Sequence, residues 1–346
     1  MEITEISNES SQHKQVLDLL RQFDIHSAES IEFVDSSHGE DDIRHNYIID
    51  KKYVLRINSA KVMTEKRLTE LNTLIERYRS FGMKAPVYLK ATTGNFVVEQ
   101  DEKYCYLSEY LDYPVADDVK YRCREDLIRQ RVIYVARFAQ AFKDVDLVET
   151  VCMFSIFDLS PYDQLSGLNI DEKQENLEQL VADLKQAGYE ELAKKLNAQN
   201  EEIRNRLKPI YKDLPRCVFQ GDLNPSNELH KDGHFAGLID FNLSGTDVNI
   251  NVFLNETNWF PEEAEFDKLS VPDIVAHMDA EQADTLSVIL RHYAMNDAEK
   301  YAFPYYKRII DLFQYPNVCE MVKWLKEDVR KDKCVELIQA LVDKPM

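Results

Sequence analysis

The chain has 346 residues, of which 44% are hydrophobic, and its 42 Lys and Arg residues against 62 Asp and Glu residues give a formal net charge of -20. This length is sufficient for two domains or lobes that each bury a core, and the low glycine and proline content argues against disordered and fibrous classes. Because so acidic a surface repels nucleic acid and anionic membranes, we expect neither as a partner.

The distribution of residues also bears on the cellular compartment. The first fifteen residues are polar and acidic, unlike a secretory leader, and no apolar run approaches the roughly 20 residues that a membrane span requires. The six cysteines are scattered without a Cys-x-x-Cys pair. We therefore expect a cytoplasmic monomer or homodimer with free, buried thiols and no structural zinc.

The N-terminal third predicts a small sheet flanked by two helices. Apolar residues recur at helical spacing over residues 10–23, with Ser10 or Ser11 as the N-cap, and again over residues 61–80. Five short runs rich in β-branched and aromatic residues predict strands: residues 30–35, 44–50, 53–57, 96–99 and 104–109. The polar loop 36–42 could fold over phosphates, although an ordinary hairpin loop explains it equally well.

A change of composition after the fifth strand predicts the boundary between two lobes. That strand ends near Glu109, and proline and acids follow over residues 112–118. We therefore expect an N-lobe over residues 1–111 and a C-lobe over residues 112–346. Helical periodicity dominates the C-lobe, in four segments: residues 124–145, 171–208 with a break near Gly188, 247–259, and 279–343, whose aromatic side chains we expect to be mainly core.

The strongest chemical signal lies in residues 216–242. A short apolar run leads into the turn dipeptide Gly221-Asp222, and Asn227 follows five positions after the aspartate. The hairpin signal Asp232-Gly233 then precedes a second apolar run, which ends at Asp240. Taken singly, these are ordinary turn residues. Taken together, they place three oxygen-bearing side chains at loop and strand ends, where they could converge on one ligand.

The three side chains suit phosphoryl transfer. That reaction needs a carboxylate near the attacking hydroxyl and oxygen ligands for the Mg²⁺ that holds the nucleotide phosphates. Magnesium prefers one or two carboxylates, an amide oxygen and waters to a complete protein cage. We therefore predict that Asp222 is the catalytic base and that Asn227 and Asp240 are the metal ligands.

The same stretch resembles the aminoglycoside phosphotransferase and choline kinase family of kinase-like small-molecule phosphotransferases. Their catalytic loop is His-Gly-Asp-x-x-x-x-Asn, followed by a hairpin and Ile-Asp-x-Asp/Glu, and the two matching blocks here are residues 220–227 and 238–242. The resemblance implies an α+β, bilobal protein-kinase-like fold, with a five-stranded antiparallel sheet plus helix in the N-lobe and a larger, mainly helical C-lobe. It also implies a Mg²⁺-dependent kinase that uses ATP, with GTP as the alternative.

Further site residues follow from the resemblance. Arg56 in the third strand corresponds to the family's phosphate-binding cation, and Glu70 on the next helix to its ion-pair partner, with Glu65 in reserve. Arg56 could instead be an edge-strand arginine that faces solvent. Ser108 and Tyr110 correspond to the hinge, whose backbone groups bind the adenine edge in the family.

Three positions depart from the family pattern. Gln220 replaces a histidine with a scaffolding role, and Asn242 replaces the second acid of the metal block. Asn249 replaces an aspartate that braces the catalytic loop. These departures keep open a catalytically degenerate, nucleotide-binding scaffold as the alternative to an active kinase.

The acceptor is predicted from charge and from the region behind the metal motif. Residues 51–90 hold ten Lys or Arg against three acids, whereas residues 247–300 hold three against twelve. This asymmetry fits a nucleotide beside the first segment and a small cationic hydroxyl acceptor, aminoglycoside-like or choline-like, beside the second; solvated acids are an equally good explanation. Trp259 and Glu256 are the predicted acceptor-site residues. A sugar, amino acid or macrolide hydroxyl remains an alternative acceptor.

Overall fold

The chain forms two compact units in the computed structural model, which describes residues 3–7, 10–37, 39, 42–59, 63–115, 125–160 and 170–345, without the side chains of 3 and 125–128. The first unit comprises Met1–Tyr121 and Asn224–Phe241, and the second comprises Arg122–Leu223 and Asn242–Met346. The catalytic motif is therefore divided: Asp222 belongs to the second unit, whereas Asn227 and Asp240 belong to the first. A lobe boundary at residue 111 stays a prediction.

The first unit is built on an antiparallel sheet of seven strands in the order β1-β2-β3-β4-β7-β5, with β6 also paired to β7. Its strands are β1 Ile3–Glu5, β2 Ile31–Asp35, β3 Arg44–Ile49, β4 Tyr53–Asn58, β5 Tyr88–Leu89, β6 Val97–Gln100 and β7 Lys103–Glu109. The five predicted strands are all present. The prediction missed β1 and β5 because strands of two or three residues are too short to show a period-two alternation.

Two helices of the first unit begin after a polar capping residue, and the cap of the first helix, Ser10, was one of the two predicted. Helix α1, Ser11–Arg21, starts after Ser10, whose hydroxyl accepts from the backbone N–H of His13 at 3.0 Å. Helix α2, Glu65–Ser80, starts after Thr64, which accepts from a first-turn N–H at 3.2 Å. Such caps satisfy N–H groups that have no partner within the helix. The apolar face of α1 packs with the inner residues of β2, β3 and β7 in one hydrophobic core.

A second segment of the chain completes the first unit with the predicted hairpin. Strands β9, Glu228–Lys231, and β10, His234–Leu238, are joined by Asp232 and Gly233, whose φ angles are 53° and 79°. Two consecutive positive φ angles are typical of the tight type I′ turn. Gly237 packs against the backbone of Lys84 so closely that a Cβ would lie 2.0 Å from its carbonyl oxygen.

The second unit is mainly helical. Strands β8, Arg216–Phe219, and β11, Gly245–Val248, form a small antiparallel ladder. Its helices are α3 Glu125–Phe142, α4 Glu172–Gln186, α5 Glu190–Leu207, α6 Asn249–Thr257, α7 Glu263–Lys268, α8 Val271–Leu290, α9 Asp297–Phe313, α10 Tyr315–Leu325 and α11 Lys331–Asp343. The predicted α+β fold and the helical hairpin that breaks at Gly188 are confirmed.

One boundary prediction in the second unit was wrong. Asp247 and Val248 were expected to begin a helix, but they end β11, where Asp247 pairs with Cys217 and Val248 with Arg216. The ladder to β8 outweighs the helical periodicity that follows, and helix α6 begins only at Asn249.

The aromatic residues of the last helices are mainly core, as predicted. Trp324 is fully buried and stacks on Phe266 with ring centroids 3.8 Å apart, and Tyr306 and Phe313 are also fully buried. Tyr315, by contrast, is 58% exposed.

Two predictions made from composition concern the cysteine thiols and membrane-spanning helices. Cys105, Cys152, Cys217 and Cys334 are free and buried, whereas Cys319 is free and exposed. None of the described helices combines the length and the apolar character needed to cross a membrane.

Candidate active site

The turn after β8 is built around a glycine that no other residue could replace without a shift. Gly221 has a φ of 88°, and a Cβ there would lie 2.3 Å from the carbonyl oxygen of Leu243. This close approach arises because β8 and β11 pair Phe219 with Gly245, so that the loops at their ends meet. Glycine is the residue that accepts both the positive φ and the close backbone contact.

Asp222, the predicted base, is half-buried and follows this turn. The side chain of Gln220 accepts from the backbone N–H of Asp222 at 2.7 Å, and the carbonyl of Gln220 accepts from the Ser244 hydroxyl at 2.9 Å. Gln220 and Ser244 are both fully buried. The glutamine that replaces the family's histidine therefore holds the backbone of the base in place.

A buried arginine holds the other side of the same turn. Arg131 of α3 is 7% exposed, and its Nη1 donates to the carbonyl of Leu223 at 2.8 Å. Its Nη2 lies 3.3 Å from Oε2 of Glu256 on α6. Sequence analysis did not single out Arg131. The available signal was a cation within a strongly apolar helix, because a buried charge is costly unless it has partners.

In the first unit, backbone geometry places Asn227 next to Asp240. The carbonyl of Asn227 accepts from the N–H of Ile239 at 2.9 Å, and Asp240 follows with a φ of 54°. Phe241 is 1% exposed and packs edge to face on Tyr78 of α2, with ring centroids 5.6 Å apart. Burial of a phenylalanine contributes about 1.5–3 kcal/mol, which is enough to fix the backbone beside the exposed Asp240 side chain.

The amide of Asn227 and the carboxylate of Asp240 are a ligand set that suits Mg²⁺. This ion is commonly held by one or two protein oxygens while phosphates and waters complete its octahedron. Across the residues that the structure describes, no group of three or more His, Cys, Asp or Glu side chains could hold a metal by itself.

The charges of Arg56 and Asp240 both influence the pKa of the Tyr106 phenol. Arg56 donates through Nη1 to the hydroxyl of Ser108 at 2.8 Å, and Tyr106 accepts from Asn58 Nδ2 at 3.0 Å. Burial raises the pKa of Tyr106 far above its usual range, while the charge of Arg56 lowers this pKa and that of Asp240 raises it. Arg56 lies opposite Tyr106 in the ladder of β4 and β7, so its guanidinium is held on the neighbouring strand through the hydroxyl of Ser108.

Helix α2 does not place Glu70 against Arg56. The carboxylate of Glu70 lies 3.9 Å from Lys66 Nζ and 4.0 Å from Arg67 Nη1. The reserve residue, Glu65, instead accepts from two backbone N–H groups at the start of β6, at 2.7 and 3.0 Å. In the part of the chain that the structure covers, no ion pair joins either glutamate to Arg56, and the predicted pair is not formed. The hydroxyl on β7 orients the guanidinium in its place.

The predicted hinge residues are engaged with the first unit. Ser108 lies within β7, fully buried between β4 and β5, and the N–H of Tyr110 donates to the Lys52 carbonyl at 2.8 Å. The carbonyl of Pro114 accepts from the N–H of His230 at 2.9 Å. Residues 116–118 of the predicted hinge lie outside the described residues. Adenine recognition by Ser108 and Tyr110 stays a prediction, and the N–H of Tyr110 is already engaged in this structure.

The loop between β2 and β3 can be followed only in part, since residues 38, 40 and 41 lie outside the described residues. The N–H of Ser36 donates to the carbonyl of Arg44 at 3.0 Å, and the N–H of Ser37 donates to Asp35 Oδ1 at 2.9 Å. These two N–H groups serve the hairpin itself, which favours an ordinary hairpin loop at this end.

The third family departure, Asn249, faces the core. Its Nδ2 donates to the hydroxyl of Tyr293 at 2.9 Å, and the residue is fully buried. The neighbouring buried carboxylate belongs to Asp247, which accepts from Ser155 at 2.8 Å and from Asn251 at 2.9 Å. Among the described residues, the side-chain oxygen of Asn249 has no hydrogen-bond partner. Asn249, which stands in place of the family's bracing aspartate, thus donates its side-chain hydrogen bond to Tyr293.

Glu256 and Trp259, predicted to line the acceptor site, both have protein partners. Glu256 pairs with Arg131 and its side chain is 16% exposed. Trp259 is half-buried against His277 of α8, with ring centroids 4.2 Å apart. An acceptor-binding role for either residue stays a prediction.

Ion pairs offset part of the charge of the acidic segment 247–300, and most of the cations in these pairs lie outside the segment. In addition to Glu256, five of its acids form ion pairs with lysine or arginine at 2.5 to 3.1 Å: Glu263, Asp267, Asp279, Asp284 and Asp297. These pairs favour a structural and solvent-facing role for the acids over the attraction of a cation.

Comparison with known families agrees with this arrangement of residues. The model of the phosphotransferase enzyme family matches residues 39–248, which is more than half of the chain. Comparison with curated proteins finds no significant match.

A solved structure shares this fold at low sequence identity. An amicoumacin kinase in complex with AMP-PNP, Ca²⁺ and its ligand Ami is 13% identical, with 95% of this chain and 93% of that chain covered and a TM-score of 0.57. The ADP-bound aminoglycoside phosphotransferase APH(2'')-Ib is 12% identical, with 97% of both chains covered and a TM-score of 0.46. A spectinomycin phosphotransferase bound to ADP and spectinomycin is 12% identical, covers 95% of this chain and 98% of its own, and has a TM-score of 0.47. On the evidence of its family match, the chain belongs to the phosphotransferase enzyme family, a family of small-molecule kinases.

Proposed function

We propose that this kinase transfers the γ-phosphoryl group of ATP, with GTP as the alternative nucleotide, to a hydroxyl of a small molecule in a Mg²⁺-dependent reaction. The observation that carries the proposal is the hydrogen bond of 2.9 Å from the N–H of Ile239 to the carbonyl of Asn227, which places Asn227 beside Asp240 in the first unit. An amide and a carboxylate at neighbouring positions suit Mg²⁺, and Arg56 of the same unit provides a cation for the nucleotide phosphates.

Each residue has a defined part in the proposed reaction. Arg56 binds nucleotide phosphate oxygens through its planar guanidinium, with one arm already fixed by Ser108. Asn227 and Asp240 hold Mg²⁺, which when bound neutralises charge on the phosphate oxygens. Asp222 accepts the proton of the attacking hydroxyl, so that the new O–P bond forms as the bond to the leaving nucleoside diphosphate breaks.

A small-molecule acceptor is the best-supported class. The amicoumacin kinase and the spectinomycin phosphotransferase act on, or are bound to, small molecules. A cationic acceptor remains part of the proposal, but the acids of residues 247–300 that already pair with lysine or arginine lend it little support. Glu256 also faces Arg131, which reduces its availability as an anchor for an ammonium group.

A nucleotide-binding scaffold without turnover is the second candidate. Two observations favour it: the Arg56–Glu70 pair is not formed among the described residues, and Asn249 contacts Tyr293 instead of bracing the loop. A scaffold and a kinase would both bind nucleotide, so binding alone does not separate them.

The test combines nucleotide binding with turnover. Thermal-shift titrations with ATP or GTP, each with and without Mg²⁺, should raise the melting temperature most when nucleotide and metal are both present. Nucleotide consumption is then measured with aminoglycosides, choline, ethanolamine, amino acids, sugars and macrolides as acceptors. Acceptor-dependent consumption supports the kinase, whereas stabilisation by Mg²⁺–nucleotide without consumption across the panel supports the scaffold.

A further inference from the structure

The turn that carries Asp222 is held from both of its ends by buried groups of the second unit. Before the aspartate, Gln220 accepts from its N–H at 2.7 Å, and Ser244 donates to the carbonyl of Gln220 at 2.9 Å. After it, Arg131 donates to the carbonyl of Leu223 at 2.8 Å. The contacts on the first side belong to the turn and its partner strand, whereas the contact on the second side comes from a distant helix.

The arginine makes this second contact under conditions that strengthen it. Its side chain is 8% exposed, and that of its partner Glu256 is 16% exposed. Charged hydrogen bonds are roughly twice as strong as neutral ones, and a buried charge that loses a partner is strongly destabilising. The guanidinium therefore stays where Glu256 and the carbonyl of Leu223 hold it, between helices α3 and α6 and the catalytic turn.

The chemistry of arginine explains why this position needs that residue. The planar guanidinium directs Nη1 to the carbonyl of Leu223 and Nη2 to Glu256, so one rigid group satisfies two acceptors. A lysine could reach one acceptor but would not impose the same orientation. The geometry thus couples helix α6 to the turn through a single side chain of helix α3.

We propose that Arg131, oriented by Glu256, is a positioning residue for Asp222. It fixes the carbonyl next to the aspartate, and through it the backbone from which the carboxylate approaches the acceptor hydroxyl. This inference deepens the proposed function and rests on it. It also assigns Glu256 to the support of the base, in place of the acceptor-binding role predicted from the sequence.

The primary test is Arg131→Ala, assayed with Mg²⁺–ATP and the acceptor that is turned over best in the panel. Misplacement of a catalytic group by about 1 Å can lower a rate on the order of 100-fold, so kcat should fall by roughly 10- to 100-fold. KM for ATP should change little, because Arg131 belongs to the second unit and the proposed phosphate ligands belong to the first. Added guanidinium ion should restore part of kcat in Arg131→Ala and none in Asp222→Asn.

Arg129 provides a matched control on the same helix. It is two residues from Arg131 and forms an ion pair of 2.6 Å with Asp284, but its side chain is 40% exposed. Arg129→Ala removes the same charge from α3 and should leave kcat and its guanidinium response unchanged. A loss of kcat in Arg129→Ala equal to that in Arg131→Ala would overturn the proposal, since it would point to a general effect of helix α3.

Two further variants test the pair itself. Arg131→Lys keeps the charge, and its kcat should fall less than that of Arg131→Ala. It replaces Arg131→Ala as the test variant if the alanine variant does not fold. Glu256→Ala should lower kcat, and the double variant with Arg131→Ala should lose no more than Arg131→Ala alone, because the two residues act as one unit. Additive losses would contradict the assigned coupling.

Hydrogen exchange separates failure of this inference from failure of the proposed function. In Arg131→Ala, the backbone amides of residues 220–224 should exchange faster, while those of β8 and α6 remain protected. Unchanged exchange together with unchanged kcat would overturn the positioning role while leaving the kinase assignment intact. Absence of turnover in the natural chain would overturn the kinase assignment, and with it the positioning role, whatever the exchange shows.

Discussion

The two portions of the catalytic motif are held in different ways. In the second unit, the turn around Asp222 is fixed by buried contacts with Gln220, Ser244 and Arg131. In the first unit, Asp240 is exposed, and the backbone beside it is anchored by the buried Phe241. The proposed base thus lies in a turn that buried groups position, whereas the proposed metal ligand is exposed.

The largest expected effect falls on the rigidly held side. Asp222→Asn removes the proton acceptor while keeping the size and hydrogen-bonding capacity of the side chain. General-base catalysis contributes about 10²–10⁴-fold, so kcat should fall by that range while the dissociation constant for Mg²⁺–nucleotide stays within about twofold. Steady-state kinetics measures kcat, and calorimetric titration measures the dissociation constant for Mg²⁺–nucleotide. Turnover close to that of the natural chain would mean that another group takes the proton.

On the more open side, Asp240→Asn should act through the metal. The change removes one charge but keeps a residue that tolerates the observed φ of 54°. Weaker binding of Mg²⁺ should lower kcat/KM for the nucleotide by on the order of 10- to 100-fold, and higher Mg²⁺ concentrations should recover part of it. Activity measured over a range of Mg²⁺ concentrations gives both the decrease in kcat/KM and its recovery.

Asp232→Asn is the control for this charge change. Asp232 is also exposed, lies in the same unit and has a φ of 53°. Its substitution should leave the Mg²⁺ dependence as it was. An equal response of the two variants would show that the effect comes from net charge and not from a metal ligand.

The close packing of the Asp222 turn should contribute to the free energy of unfolding. Gly221→Ala introduces a Cβ that would lie 2.3 Å from the carbonyl oxygen of Leu243, at a φ of 88°. Strain and overpacking together should lower the free energy of unfolding by about 2–5 kcal/mol. Urea denaturation measures the change.

Gly94 separates the two causes, because it has the same φ of 88° but no atom within 4 Å of an added Cβ. Gly94→Ala should therefore show only the backbone strain, about 1–2 kcal/mol. If both variants lose the same stability, the contact between the two loops contributes nothing and the turn is less constrained than described.

Sequence analysis predicted the strands and the hairpin because each depends on local patterns. The Asp232-Gly233 turn is an example, since its residues alone specify the positive φ angles. The residues that it missed or misplaced depend on the tertiary structure. Arg131 gains its role from Leu223 and Glu256, which are distant in sequence, and Asp247 becomes a strand residue only because β8 lies beside it. Arg56 was correctly placed in a strand, but its partner Ser108 follows from pairing between β4 and β7.

The smallest effect concerns a buried carboxylate of the second unit. Burial raises the pKa of Asp247 to about 6 from an ordinary value of 3.8. Between these values the folded state holds a proton that the unfolded state has lost, so this residue's contribution to stability decreases as pH rises through the window and is lowest above pH 6. Asp247→Asn has no such titration. The stability of the natural chain relative to the variant should fall by on the order of 2–3 kcal/mol from pH 4 to pH 7.

Urea denaturation of both proteins across that pH range tests this prediction. In the difference between the two chains, the contributions of all other titrating groups to the pH dependence of stability cancel, including that of Asp171, whose pKa is lowered. A pH-independent difference would show that Asp247 is ionised in the folded protein, held by Lys173 and its hydrogen-bond donors.

Phosphorus NMR of the natural chain with ATP, Mg²⁺ and each acceptor of the panel tests the central claim most directly, since it observes the bond that forms. The account predicts a new phosphomonoester resonance that grows with the ADP signals in equal amount and requires both the acceptor and Mg²⁺. ATP that remains unchanged with every acceptor, or that yields only ADP and inorganic phosphate, while nucleotide binding is demonstrated in the same sample, would contradict it.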